Sequence, residues 1–171
     1  MNKALLVIDV QKDYLGNKRD KERFCFENPE KLIQNINNTI AEYSEKGWYI
    51  IYIAEILPNL FLNRIIFGFS IRGTEGAKFV DNLNIVSDYY YEKQLGNSFT
   101  NKNLCRFIKD KKIDEIVLCG IDEASCVGAT AKGGLKLSLN VSFIKNSIGT
   151  TNQEKAKSQR DKLKKRGVKY I

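Results

Sequence analysis

Cys126 lies in the stretch LCGIDEASCVGATA, residues 118–131, where an apolar run gives way to helical spacing. A helix start leaves its first backbone N–H groups pointing outward with partial positive charge. A thiol placed there is a candidate nucleophile, because a thiolate and an oxyanion forming beside it would both be stabilised. On this reading Cys126 is expected to be the most reactive of the four thiols, the others being Cys25, Cys105 and Cys119. A buried cysteine is more often a small core residue, and that reading suits Cys119 inside the run EIVLCG.

Two further residues could serve such a thiol. Asp9 follows the apolar run ALLVI, and Lys93 closes IVSDYYYEK. The chain contains no histidine, which removes Ser-His-Asp and Cys-His catalysis together with His-ligated zinc. An acyl-transfer reaction would have to take its base from Asp, Glu, Lys or Tyr.

The elements that must position these residues can be read from periodicity. Residues 4–8 form a continuous apolar run suited to a strand covered on both faces, so Asp9, Gln11, Asp13 and Tyr14 fall where a parallel sheet places its ligands. Asn28-Pro29 reads as a cap and first turn, followed by Ile33, Ile36, Ile40 and Tyr43 at helical spacing up to Gly47. Trp48–Ala54 is the second strand. Residues 55–76 are apolar and irregular, the pattern of a functional loop, a lid or an oligomer contact. Thr74 is expected to cap a short helix holding Phe79, Val80 and Leu83, before a third strand that ends at Lys93. Thr100 or Asn101 caps the next helix, EIVLCG is the fourth strand, and a helix begins near Cys126. Its Gly133-Gly134 pair implies close packing against a neighbour. NVSFIK makes a fifth strand, TNQE at Thr151–Glu154 reads as a capping box, and VKYI closes the sheet after Gly167.

Strands alternating with helices give a doubly wound, three-layer α/β/α fold of Rossmann-like type with a six-stranded parallel sheet, one domain over residues 1–171. In strand order 3-2-1-4-5-6 the first and fourth strands flank the switch point. Asp9 and Cys126 then face one crevice, and Lys93 reaches in from farther out.

Composition narrows the function classes. No apolar run approaches the roughly 18–20 residues that span a bilayer, and the first residues run directly into a strand, so a cytoplasmic protein with free thiols and no membrane partner is expected. The net charge of +8 gathers near the C-terminus in KAKSQRDKLKKRGVK. No aromatic or glycine-rich recognition motif accompanies it, so it reads as a solvated helix face and no nucleic-acid partner is expected.

Four motifs in order resemble those of the isochorismatase-like cysteine hydrolases, a superfamily that includes nicotinamidases and other small amidohydrolases. They are ALLVIDVQKDYL with its aspartate, GTEG at Gly73–Gly76, EKQLGNSF at Glu92–Phe99, and GIDEASCVGATA at Gly120–Ala131. The resemblance implies a triad in which Asp9 takes the thiol proton, Cys126 attacks a carbonyl carbon, and Lys93 holds both electrostatically. It further implies a cis peptide between Ile121 and Asp122, with the backbone N–H groups of Asp122 and Cys126 forming an oxyanion hole.

Three positions depart from the family pattern. Glu55-Ile56-Leu57 stands where nicotinamidases place an Asp-x-His metal motif, so no metal and no other cofactor is expected. Asp122 and Glu123 suggest an acidic pocket floor. Tyr14 replaces a substrate-covering phenylalanine, and with Gln11 and Asn97 it is expected to orient the substrate. The reaction implied is cleavage of a C–N bond in a small amide through a thioester. Vinyl-ether hydrolysis of an isochorismate-like compound, or redox-responsive binding on the same fold, are the alternatives. The resemblance also suggests a homo-oligomer, with the Leu57–Phe69 loop as a contact.

Overall fold

The computed structural model describes residues 2–171. Its six strands are β1 (Asn2–Ile8), β2 (Tyr49–Glu55), β3 (Tyr90–Lys93), β4 (Ile113–Gly120), β5 (Asn140–Ile148) and β6 (Lys169–Tyr170). All pairings are parallel, in the order β3-β2-β1-β4-β5-β6. The helices are α1 (Lys12–Leu15), α2 (Pro29–Glu45), α3 (Phe61–Ile66), α4 (Lys102–Asp110), α5 (Cys126–Lys136) and α6 (Gln153–Lys164).

Side chains of β1 alternate between two cores. Leu5 and Val7 pack with Ile33, Ile36 and Ile40 of α2 on one face, while Ala4, Leu6 and Ile8 pack with residues of α4, α5 and α6 on the other. A strand buried on both faces needs no polar alternation, which is why ALLVI is continuously apolar. Each such aliphatic side chain removed from water contributes about 1.5–3 kcal/mol. Gly120 has φ 111°, and a Cβ there would lie 2.0 Å from the Ile8 carbonyl oxygen. Only glycine lets β4 pass this close to β1 where the site begins.

The caps follow side-chain chemistry. Asn28 accepts from the Lys31 N–H at 3.0 Å to start α2, and Asn101 accepts from the N–H groups of Asn103 and Leu104 to start α4. α5 is different: Ser125 makes no side-chain cap bond.

Three local expectations are corrected. No helix follows Thr74. The chain instead runs beside residues 10–12, with Lys12 N–H donating to Lys78 O and Val80 N–H to Val10 O, so its amides are spent on that pairing. Asn152 rather than Thr151 caps α6, because Thr151 is committed elsewhere. β3 is confined to Tyr90–Lys93, since Ser87 Oγ bonds to Ile50 O and Val86 N–H to the Tyr52 phenol in place of a regular ladder. The Leu57–Phe69 loop carries α3, which buries none of its residues. No helix among the described residues is long and apolar enough to cross a membrane.

Candidate active site

Asp9, Lys93 and Cys126 meet at the carboxyl end of the sheet. Asp9 follows β1 with φ 54°, its N–H donating to Ile53 O at 2.9 Å, so the backbone turns the carboxylate inward. Lys93 ends β3, paired in register with Glu55 at the end of β2. Its Nζ lies 2.8 Å from Asp9 Oδ2, 3.3 Å from Cys126 Sγ and 3.9 Å from Glu55 Oε1. Asp9 Oδ1 is buried with no hydrogen-bond partner, while Asp9 and the Cys126 thiol each perturb the other's ionisation.

The electrostatics follow from burial and charge count. Burial raises the Asp9 carboxyl above its ordinary value, and Lys93 only partly offsets that. Burial alone would lower the Lys93 ammonium, but Asp9, Cys126 and Glu55 together hold it above the usual lysine range. The Cys126 thiol is pushed up, by burial first and by the Asp9 charge second, with Lys93 pulling the other way. The direction is opposite to the lowering that a helix start alone would produce. One ammonium already faces two carboxylates, so a third negative charge, on the sulfur, is disfavoured until its proton has somewhere to go.

The loop that leads into α5 is tied down by its own backbone. The Ile121–Asp122 peptide is cis. The amides of Ser125 and Val127 both donate to Asp122 O, and the helix starts without a side-chain cap. The Asp122 carboxylate accepts from Ala124 N–H at 2.8 Å, Thr151 N–H at 2.9 Å and Thr151 Oγ1 at 2.6 Å. Glu123 is drawn away by Arg160, whose Nε donates to it at 2.8 Å. Of the expected acidic floor, Glu123 is paired with the Arg160 guanidinium, while the Asp122 carboxylate keeps its charge and is held by neutral donors.

The cavity beside Cys126 has a volume of about 280 Å³ and includes Asp9, Tyr14, Glu55, Asp122 and Thr151 in its lining. The Tyr14 phenol donates to Glu55 Oε2 at 2.5 Å and accepts from Ser70 Oγ at 2.8 Å. Phe24 meets both Tyr14 and Phe69 edge to face, and Tyr14 and Phe69 are tilted against each other, at centroid separations of 4.9–5.6 Å.

Two expected substrate contacts are not brought to this cavity. Gln11 is fully buried, its amide spent on Glu55 O, Ala77 O and Glu55 N–H, so it ties β2 to the neighbouring loop. Asn97 accepts from Phe99 N–H and packs on α5, where a Cβ on Gly133 would lie 2.3 Å from Asn97 Oδ1. That contact accounts for one of the paired glycines. Thr74 of the GTEG turn lines a different cavity, together with Glu92. Sequence reasoning missed Ser70, Arg23, Phe24 and Phe69, which sit on irregular segments without periodicity to mark them.

The donor set does not fit a nicotinamidase-type metal site. Glu55 gives one oxygen to Tyr14 and faces Lys93 with the other, Ile56 and Leu57 offer no donor atom, and no cluster of three His, Cys, Asp or Glu suited to a metal exists among the described residues. Borderline metals prefer convergent imidazole, and an ammonium at this distance competes with any cation.

The chain belongs to the isochorismatase family: the isochorismatase domain matches residues 3–171. An uncharacterized isochorismatase family protein of Bacillus subtilis, YddQ, is 25% identical over 152 residues, covering 88% of this chain and 79% of the relative. A probable inactive nicotinamidase of Arabidopsis thaliana is 24% identical over 90% of this chain and 83% of its own length. Among solved structures, the nicotinamidase/pyrazinamidase PncA of Bacillus subtilis superposes with a TM-score of 0.87 at 21% identity, covering all of both chains. N-carbamoylsarcosine amidase of Thermoplasma acidophilum superposes at 0.82 and 21% identity, over 99% of this chain and 95% of that one.

Proposed function

We propose that the chain is a metal-independent cysteine hydrolase that cleaves a C–N bond of a small amide through a thioester, with residues 1–171 acting as one unit. The observation that carries the reading is the Lys93 ammonium standing between the Asp9 carboxylate and the Cys126 thiol. The amidase and nicotinamidase among the structural neighbours support it.

The sulfur–carbon bond forms as the Cys126 proton passes to Asp9, whose raised carboxyl makes it a stronger base than an ordinary aspartate. Negative charge moves to the carbonyl oxygen, where the N–H groups of Asp122 and Cys126 receive it. Asp9 returns the proton to the departing amine as the C–N bond breaks, leaving a thioester. A water then loses its proton to Asp9 and attacks the thioester, releasing acid and thiol. Lys93 keeps the pair neutralised throughout.

The test is a screen of small amides for ammonia release with Cys126→Ala as control. Release that survives the substitution would sink the nucleophile assignment. No release from any amide, with a vinyl ether instead hydrolysed to an alcohol and a carbonyl compound by both the unsubstituted protein and Cys126→Ala, would favour a second reading, in which the raised Asp9 carboxyl protonates the vinyl ether without need of the thiol. The exposed side chains of Leu60, Phe61, Leu62, Ile65 and Ile66 suit the expected contact with a second copy. A monomeric mass by light scattering at micromolar concentration would remove that part.

A further inference from the structure

Arg23 lies at the mouth of the Cys126 cavity and is not used by any step above. Its Cζ stands 4.4 Å from the Phe69 ring centroid and 5.7 Å from that of Phe24, and Nη1 donates to Phe67 O at 2.8 Å. The loop that presents it is pinned. Asp20 Oδ1 accepts from the N–H groups of Glu22 and Arg23, and Arg19 bonds to Phe24 O and Gly16 O. The ion pairs among the described residues do not include Arg23. A guanidinium carries a planar fork of donors matched to a carboxylate, and most of this one is unspent.

The other charges of the cavity are committed. Glu55 is held by Tyr14, Asp122 by Thr151, and Asp9 by Lys93. We infer that Arg23 is the anion-recognition residue of the site, so that the substrate is a small amide whose far end bears a carboxylate. This rests on the amidohydrolase reading. The acidic inner end, where Asp9 and Glu55 outnumber Lys93, repels such a carboxylate and turns it outward. The neutral amide then enters first toward Cys126, with the intervening carbons against Tyr14, Phe24 and Phe69.

Succinamic and glutaramic acids and their methyl esters separate charge from shape. Titrated calorimetrically into the Cys126→Ala protein, the acids should bind about 10- to 100-fold more tightly than the esters, the range of one charge-assisted hydrogen bond. Adding Arg23→Gln should abolish that preference and leave ester affinity unchanged, while Arg23→Lys restores part of it. A residue that merely stapled the aromatic cluster would weaken acid and ester alike. Equal binding of acid and ester, no binding of either, or a preference that survives Arg23→Gln each overturns the inference. Binding is read without turnover, so a failure of the unsubstituted enzyme to release ammonia would count against the amidohydrolase reading alone. In an active enzyme Arg23→Gln should raise KM for the acids with kcat nearly unchanged.

Discussion

The phenol of Tyr14 donates to Glu55 Oε2 at 2.5 Å, so the carboxylate at the end of β2 is held by a tyrosine. Removing that hydroxyl with Tyr14→Phe strands the Glu55 oxygen and the Ser70 hydroxyl. The expected loss is about 1–3 kcal/mol of stability, or about 2–4 °C in Tm per kcal/mol for a chain of this size. Differential scanning calorimetry measures it, and an unchanged Tm would show that water replaces the phenol without cost.

Metal dependence is the next consequence of the same bond. Exhaustive dialysis against EDTA should leave turnover of the best amide unchanged, with bound metal well below one per chain by elemental analysis. Activity lost on chelation and restored by zinc or manganese would mean that Glu55 exchanges Tyr14 for a cation.

Asp9→Asn should keep the fold and lower turnover by about 100- to 10,000-fold, the usual contribution of a positioned acid–base group. On the proposed mechanism kcat/KM needs the carboxylate, so in the unsubstituted enzyme it should fall as pH drops through a pKa above the ordinary 3.8. Stability runs the opposite way for this group. A carboxyl raised in the folded state favours folding fully below its unfolded pKa and loses that contribution as pH rises through the folded value. Asp9→Asn should flatten that dependence, and thermal melts across pH 3.5–7 compare the two proteins.

Alkylation by iodoacetamide reports the thiols directly. Burial and the Asp9 charge hold the Cys126 thiol protonated, so exposed Cys25 should label first at pH 8. Asp9→Asn removes one of those causes, and each unit by which the thiol pKa falls gives roughly tenfold more thiolate. Faster labelling of Cys126 in that variant is the expected result. An unchanged rate would show that Asp9 does not reach the sulfur.

The fold was legible because its signals are one-dimensional. Continuous apolar runs at 4–8 and 48–54, the Asn28-Pro29 start and the Cys126 helix all describe a chain that alternates strands and helices. Strand ends then put Asp9 and Lys93 on the right edge. What failed was anything decided by competition between partners. Gln11 and Asn97 have the right chemistry for a substrate, but backbone carbonyls and amides claimed them first. Thr151 looks like a cap, but the Asp122 carboxylate outbids the helix for it. The ionisation of Cys126 depended on counting charges that only the folded chain brings together.

That bond between Asp122 and Thr151 bears on how the chain can be cut and rejoined. The turn before α6 is partly exposed, the kind of place where circular permutation is usually tolerated. Here it is stitched to the loop before Cys126 at three places, by Thr151 on Asp122, Glu123 N–H on Gly149 O, and Gly149 N–H on Gly120 O. New termini opened between Thr150 and Asn152 should therefore cost activity even where the protein still folds, whereas an opening within the exposed Asn17–Lys18 segment leaves the loop sewn in place.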